Sequence, residues 1–262
     1  GLHQLGMIAP GRQADFVILD NVTDLNVIDV YHCGKKIIRD EKVEVKPCPP
    51  HLKNTVHVSG FSEERLKLKH PGTKARVIQM LEKQIVTKDV LEEVPWMEAD
   101  GEKYFAPDGE FQKIAVIERH KNTGKMGVGI VKGYGIRGGA IASSVSHDSH
   151  NIIVVGDNDH DMALAVKEMM RTQGGYTLVC NGEIYGTLPL PVMGLMSDAG
   201  YEHVNEALAR MIPKAHEMGV KDGFDPFITL SFMALPVIPE IRITPRGIYL
   251  VNEDRMLRTP FS

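Results

Sequence analysis

The stretch GGAIASSVSHDSHNIIVVG, residues 138–156, decides how the larger part of this chain is read. Its ends, residues 140–145 and 152–155, are short runs rich in β-branched and small apolar residues, which predicts two buried strands. Between them stands Ser143-Ser144-Val145-Ser146-His147-Asp148-Ser149-His150-Asn151. A plain turn between buried strands needs only two or three small residues, so this connection is more polar than folding alone requires. Immediately downstream, Asp157-Asn158-Asp159 predicts the cap of a helix over residues 161–172. Met162, Ala165, Val166 and Met169 share one face of that helix, and Gln173-Gly174-Gly175 stops it.

The pattern extends in both directions. Upstream, residues 113–118 and 128–131 read as strands separated by glycines. Downstream, residues 176–180 and 183–188 flank Asn181-Gly182, a favoured type I′ pair, and predict a hairpin. Residues 201–218 predict a long helix that Pro213 should kink or divide. Residues 225–239 are apolar and bounded by prolines, and residues 247–251 give a last strand. Residues 75–94 fit either a helix or two strands. Near the start, residues 16–19, 27–31 and 36–39 read as three short strands, the last two joined through Cys33-Gly34-Lys35. Three such strands cannot bury both faces and call for a partner layer. Pro47-Cys48-Pro49-Pro50 then reads as a linker. Hairpins outnumber any βαβ repeat, and the fold class expected is α+β.

Composition narrows the function classes. Of 262 residues, 43% are hydrophobic and 24% charged, with a net charge of −4. Acidic and basic residues are interleaved and aromatics reach only 6%, which argues against a nucleic-acid partner or a membrane surface. No apolar run has the length of a membrane span, and residue 1 is not followed by a signal-type segment, so a cytoplasmic protein is expected. The three cysteines, Cys33, Cys48 and Cys180, are far apart, as expected of buried free thiols in a reducing compartment.

For chemistry, the first candidates are Ser146, His147, Asp148, His150 and Asn151. Imidazoles and a carboxylate at this density suit metal binding, proton transfer or hydrogen bonding to a polar heterocycle. The same loop is also readable as a turn whose side chains merely satisfy the backbone. As a metal site it is incomplete, because no HxH, HExxH or CxxC occurs in the chain. Glu118, within Glu118-Arg119-His120, and Asp198, before the long helix, are weaker pocket candidates. A solvated strand end and a helix cap are their alternative readings. Asp157-Asn158-Asp159-His160-Asp161 lacks the glycine and the bidentate Glu of a calcium loop and reads as a helix cap.

Two sets of residues resemble known sequences. GMIAPGRQADFVILD, residues 6–20, is similar to the end of a metal-dependent amidohydrolase, through Ile8-Ala9-Pro10-Gly11-Arg12, Ala14-Asp15 and the later Val30-Tyr31-x-x-Gly34-Lys35. The blocks at 138–156, 188–198 (LPLPVMGLMSD) and 225–244 (DPFITLSFMALPVIPEIRIT) resemble the C-terminal domain of prokaryotic adenine deaminases. The resemblance implies that residues 1–50 are the last strands of the amidohydrolase β-sandwich and residues 51–262 an α+β C-terminal domain. The (β/α)₈ barrel is then absent from this chain. It implies hydrolysis of adenine to hypoxanthine and ammonia in purine salvage by the parent protein. There a metal-bound hydroxide attacks C6 and a carboxylate shuttles protons. Manganese, iron or zinc would be held by the barrel, with no metal ligand and no catalytic residue in this chain. The fragment would be inactive alone, and the parent a homo-oligomer with adenine as its small-molecule partner. A related amidohydrolase acting on another heterocycle, and a non-catalytic binding or assembly module, stay open as alternatives.

Overall fold

The computed structural model describes residues 2–37 and 47–261. The chain divides into two compact units, Gly1–Pro47 and Cys48–Ser262. In the first, β1 (Phe16–Leu19), β2 (Val27–His32) and β3 (Lys35–Ile37) form an antiparallel sheet in that order. The expected third strand over 36–39 runs partly outside the described residues. Phe16 and Tyr31 stack across β1 and β2 with centroids 4.6 Å apart. Their neighbours Val17, Ile18, Val27, Ile28 and Val30 are exposed within this unit.

The second unit begins with β4 (Ala75–Met80), β5 (Thr87–Glu92), β6 (Trp96–Ala99) and β7 (Glu102–Phe105). It continues with β8 (Phe111–Ile117), β9 (Met126–Lys132), β10 (Gly139–Ser143), β11 (Ile152–Gly156) and α1 (Asp159–Thr172). After these come β12 (Gly175–Cys180), β13 (Glu183–Pro189), α2 (Tyr201–Glu217) and α3 (Ile228–Met233). The last elements are β14 (Ile241–Thr244), β15 (Gly247–Leu250) and β16 (Arg255–Leu257). Eight strands make one sheet in the order β13-β12-β10-β11-β8-β9-β4-β5, antiparallel except for β4 beside β9. Residues 75–94 are therefore two strands.

Both faces of this sheet are covered, which explains why its central strands read as continuous apolar runs. Ala115 and Ile117 of β8 pack with Met162, Ala165, Val166 and Met169 of α1. Their alternates Ile114 and Val116 face the other core, built with Met211 and Ala215 of α2, Leu230 of α3, Ile243 of β14 and Ile248 of β15. The fold is mixed α+β, and no (β/α)₈ barrel occurs among the described residues. None of the described helices is long and apolar enough to cross a membrane.

Three local expectations turn out differently, at least in part. Pro213 does not divide α2, which runs as one helix from Tyr201 to Glu217. Pro213 and Ala209, whose carbonyl loses its helical partner, both lie on the exposed face, open to solvent. The cysteines are free but not buried, since Cys33 is exposed and Cys48 and Cys180 are half-buried. Arg119 is not part of a solvated strand end, for it is 1% exposed. It follows the alternation of Ala115 and Ile117 and so points inward.

Asn158 is the N-cap of α1, its side chain accepting the Asp161 N–H at 2.8 Å, and Gln173 ends the helix in the left-handed region. Asp157 instead accepts the N–H groups of Gly138 and Gly139, at 2.5 and 3.0 Å. The acidic run is thus structural.

Candidate functional site

The loop between β10 and β11 is shaped by hydrogen bonds at almost every residue. Ser143 Oγ donates to the Val145 carbonyl at 3.0 Å, and Ser144 Oγ donates to the Gly194 carbonyl at 2.6 Å. His150 adopts a left-handed conformation (φ 49°), and its N–H donates to the Ser146 carbonyl at 2.5 Å. In return, the Ser146 N–H donates to His150 Nδ1 at 3.3 Å. That bond assigns the tautomer, because a nitrogen that accepts from an amide cannot carry a proton. His150 therefore presents Nε2–H.

Burial, reinforced by His147 and Arg119, holds the His150 pKa below the ordinary histidine range. Near neutral pH the ring is a neutral hydrogen-bond donor at Nε2. The His147 ring stands edge-on to it, with centroids 5.5 Å apart, and rests against Phe232 of α3 at 5.2 Å. The His147 N–H donates to the Ser231 carbonyl at 2.9 Å, tying the loop to that helix. Asp148 and Ser149 are exposed at the tip. Ser146 is fully buried, and its hydroxyl has no hydrogen-bond partner among the described residues. Asn151 is committed at both ends of its amide. Its Oδ1 accepts the Arg119 N–H at 3.3 Å and its Nδ2 donates to Ser149 Oγ at 3.0 Å.

Arg119 is the feature that single-residue reading missed. Its guanidinium donates to the carbonyls of His150, of Thr55 (3.2 Å) and of Met193 (3.0 Å). Among the described residues no carboxylate pairs with it, and burial pulls its pKa down to about 10. Gly194 leaves room for the fork, since a Cβ there would lie 2.8 Å from Nη1. His120 supports the loop from outside, its Nε2 donating to the Ser149 carbonyl at 2.6 Å.

The weaker candidates sit apart from this cluster in their bonding. Burial alone would raise the Glu118 pKa, but four hydrogen bonds outweigh it and bring the value to about 2. Two come from Thr123 (N–H at 3.0 Å, hydroxyl at 2.8 Å), one from the Lys121 N–H at 2.8 Å and one from the His120 N–H at 2.6 Å. Glu118 also borders a largely apolar cleft of about 570 Å³ with Val237, Pro245, Arg246 and Tyr249. Asp198 pairs with Lys53 at 2.5 Å, and that bond keeps its carboxyl below the usual range.

The loop does not fit a metal centre. Among the described residues, the one group of three metal-type donors close together is Asp15, His32 and Cys33, all exposed and in the first unit. His147, Asp148 and His150 supply no such group, so the arrangement suits hydrogen bonding to a polar ligand rather than coordination.

Comparison with known proteins agrees with these blocks. Residues 84–255 match the adenine deaminase C-terminal domain. Over 257 residues the chain is 50% identical to an adenine deaminase of Desulfitobacterium hafniense, covering 98% of this chain and 44% of that protein. It is 44% identical over 256 residues to that of Nitratidesulfovibrio vulgaris strain DP4, covering 96% of this chain and 44% of that protein. With that of Clostridium acetobutylicum it shares 42% over 261 residues, 98% of this chain and 45% of that protein. The chain thus spans less than half the length of the curated relatives it matches. A domain match over most of the chain, with identity running through both units, means that the chain belongs to the adenine deaminase C-terminal domain family.

Proposed function

We propose that this chain is the C-terminal part of an adenine deaminase, whose whole form hydrolyses adenine to hypoxanthine and ammonia. The observation that carries this reading is 42–50% identity to proteins of that name across 96–98% of the chain. On this reading residues 1–50 close the amidohydrolase sandwich and residues 51–262 form the appended domain. The metal, whether manganese, iron or zinc, is held by the barrel that this chain lacks. The chain alone is then inactive, and the parent is a cytoplasmic homo-oligomer that binds neither nucleic acid nor membrane.

The residues of this chain best suited to meet the purine are on the β10–β11 loop. Asp148 is exposed at the tip, His147 lies beside it, and His150 is held as a neutral Nε2–H donor. Adenine offers ring nitrogens as acceptors and an amino group as donor, and these side chains complement both. Ser146 and Asn151 set the loop's shape from below. The function proposed for the loop is to complete one wall of the purine pocket and hold the base in register.

The test uses the full-length enzyme. His150→Ala and Asp148→Ala should each lower kcat/KM about tenfold while the bound metal stays at the wild-type level, a loss of about 1.4 kcal/mol in transition-state binding. Unchanged kinetics would remove the loop from the pocket. Ammonia release by the 262-residue chain alone, supplied with adenine and manganese, would overturn the reading that it is inactive.

A further inference from the structure

The small sheet of the first unit brings three unlike side chains to one corner. Asp15 stands just before β1, His32 ends β2, and Cys33 is the first residue of the turn into β3. The backbone builds this corner. Phe16 and Tyr31 are cross-strand partners stacked at 4.6 Å, so Asp15 and His32, the next residues outward, stand opposite each other. Two hydrogen bonds then draw the turn onto the same segment. The Gly34 N–H donates to the Ala14 carbonyl at 2.9 Å, and the Cys33 N–H donates to Asp15 Oδ1 at 2.7 Å.

The side-chain ligand atoms converge as a result. One Asp15 oxygen, one His32 nitrogen and Cys33 Sγ all lie within 4.8 Å of one another. Cys33 Sγ is 3.6 Å from His32 Nε2, and Asp15 Oδ1 is 3.1 Å from His32 Nδ1. Ligands that meet a tetrahedral ion at bond lengths of about 2.0 to 2.3 Å stand roughly 3.3 to 3.8 Å apart. The cluster is thus within about an ångström of coordinating distance. Side-chain rotation closes that gap, since His32 and Asp15 are 67% and 37% exposed. The turn itself does not ask for a cysteine. Cys33 and Gly34 have φ of 51° and 74°, the two-residue type I′ pattern, in which Asn, Asp or Gly is favoured at the first position. A cleft of about 480 Å³ adjoins the sulfur, lined by Arg12, Gln13 and Gly34 among others, and gives an ion access.

We propose that Asp15, His32 and Cys33 bind one zinc ion, with carboxylate, imidazole and thiolate as its protein ligands and water as the fourth. A thiolate beside an imidazole selects zinc over magnesium, calcium or manganese, which prefer oxygen ligands. The thiol proton passes to solvent as the sulfur–metal bond forms. Thiolate and carboxylate together cancel the two charges of the ion, leaving a neutral site next to Arg12. The bound ion staples the start of β1 to the β2–β3 turn.

The experiment takes the whole chain, reduced and freed of metal, and titrates it with cobalt(II) and then zinc(II). Cobalt should give a thiolate-to-metal charge-transfer band and the strong visible bands of a tetrahedral site, saturating at one ion per chain, and zinc should displace it. Cys33→Ser should abolish the charge-transfer band, whereas Cys48→Ser and Cys180→Ser should keep it. His32→Gln and Asp15→Asn should each weaken zinc binding at least about tenfold, read by competition with a chromophoric chelator. Asn retains an acceptor for the Cys33 N–H, so Asp15→Asn preserves the turn while removing the charged ligand. A wild-type chain without the band, or a Cys33→Ser chain that keeps it, would overturn the proposal. So would undiminished zinc affinity in H32Q or D15N. Saturation at half an ion per chain would also overturn it, because two copies would then share the ion.

Discussion

The Arg119 guanidinium donates through Nε to the main-chain carbonyl of His150, and this contact fixes the candidate loop to the end of β8. The same fork reaches Thr55 and Met193, so one buried side chain joins three segments far apart in sequence. The loop's conformation is therefore decided by a residue about thirty positions upstream of it, and not by its own polar residues alone.

Arg119→Met should destabilise the second unit by about 3 kcal/mol, because three carbonyls that converge on the buried guanidinium lose their donors together. Arg119→Lys should recover only part of this, since an ammonium cannot reproduce the planar fork. Urea unfolding followed by circular dichroism measures both. A loss under about 0.5 kcal/mol for R119M would mean that water replaces the guanidinium without penalty.

The low pKa of His150 gives a stability contribution with a definite sign. The unfolded chain binds a proton near the ordinary histidine value of 6.5, whereas the folded chain resists it until lower pH. Stability from this group is complete above pH 6.5 and falls as pH drops from there toward the folded value. His150→Gln should flatten that part of the pH–stability curve. An identical curve for wild type and H150Q would assign the slope to other groups.

Glu118 acts lower on the scale. Its folded pKa of about 2 lies below the unfolded value of 4.5, so its contribution is present above pH 4.5 and lost as pH falls toward 2. Glu118→Gln places an amide NH₂ against donors and should lower stability at neutral pH by about 1 kcal/mol. The measurement is thermal or urea unfolding from pH 2 to 7. An unchanged acid limb in E118Q would count against the role.

The first unit should make the isolated chain self-associate. Val17 and Val30 are cross-strand partners on β1 and β2, 52% and 38% exposed, among other exposed apolar residues. A continuous apolar surface of this kind seeks cover in water. The double change Val17→Lys with Val30→Lys should raise the monomer fraction in size-exclusion chromatography with light scattering. A wild-type chain that is already monomeric at millimolar concentration would contradict this.

Much of this protein was legible in its sequence because the relevant signals are local. The β-branched runs around residues 140 and 152, the Asn158 cap, the Asn181-Gly182 turn and the apolar face of α1 each follow from steric and hydrogen-bonding preferences within a few residues. The long blocks at 138–156, 188–198 and 225–244 likewise carry the family likeness by themselves. What only tertiary structure decided depends on neighbours brought from a distance. Residues 75–94 become β4 and β5 because β9 offers β4 an edge to pair with, and no propensity in that segment chooses it. Arg119 looked like a hydrated charge until the sheet buried it against three carbonyls. The tautomer of His150 depends on a single amide four residues away, held in place by the folded loop. Local chemistry set the elements, and long-range burial assigned their polar groups, because a desolvated donor or acceptor must find its partner wherever the fold provides one.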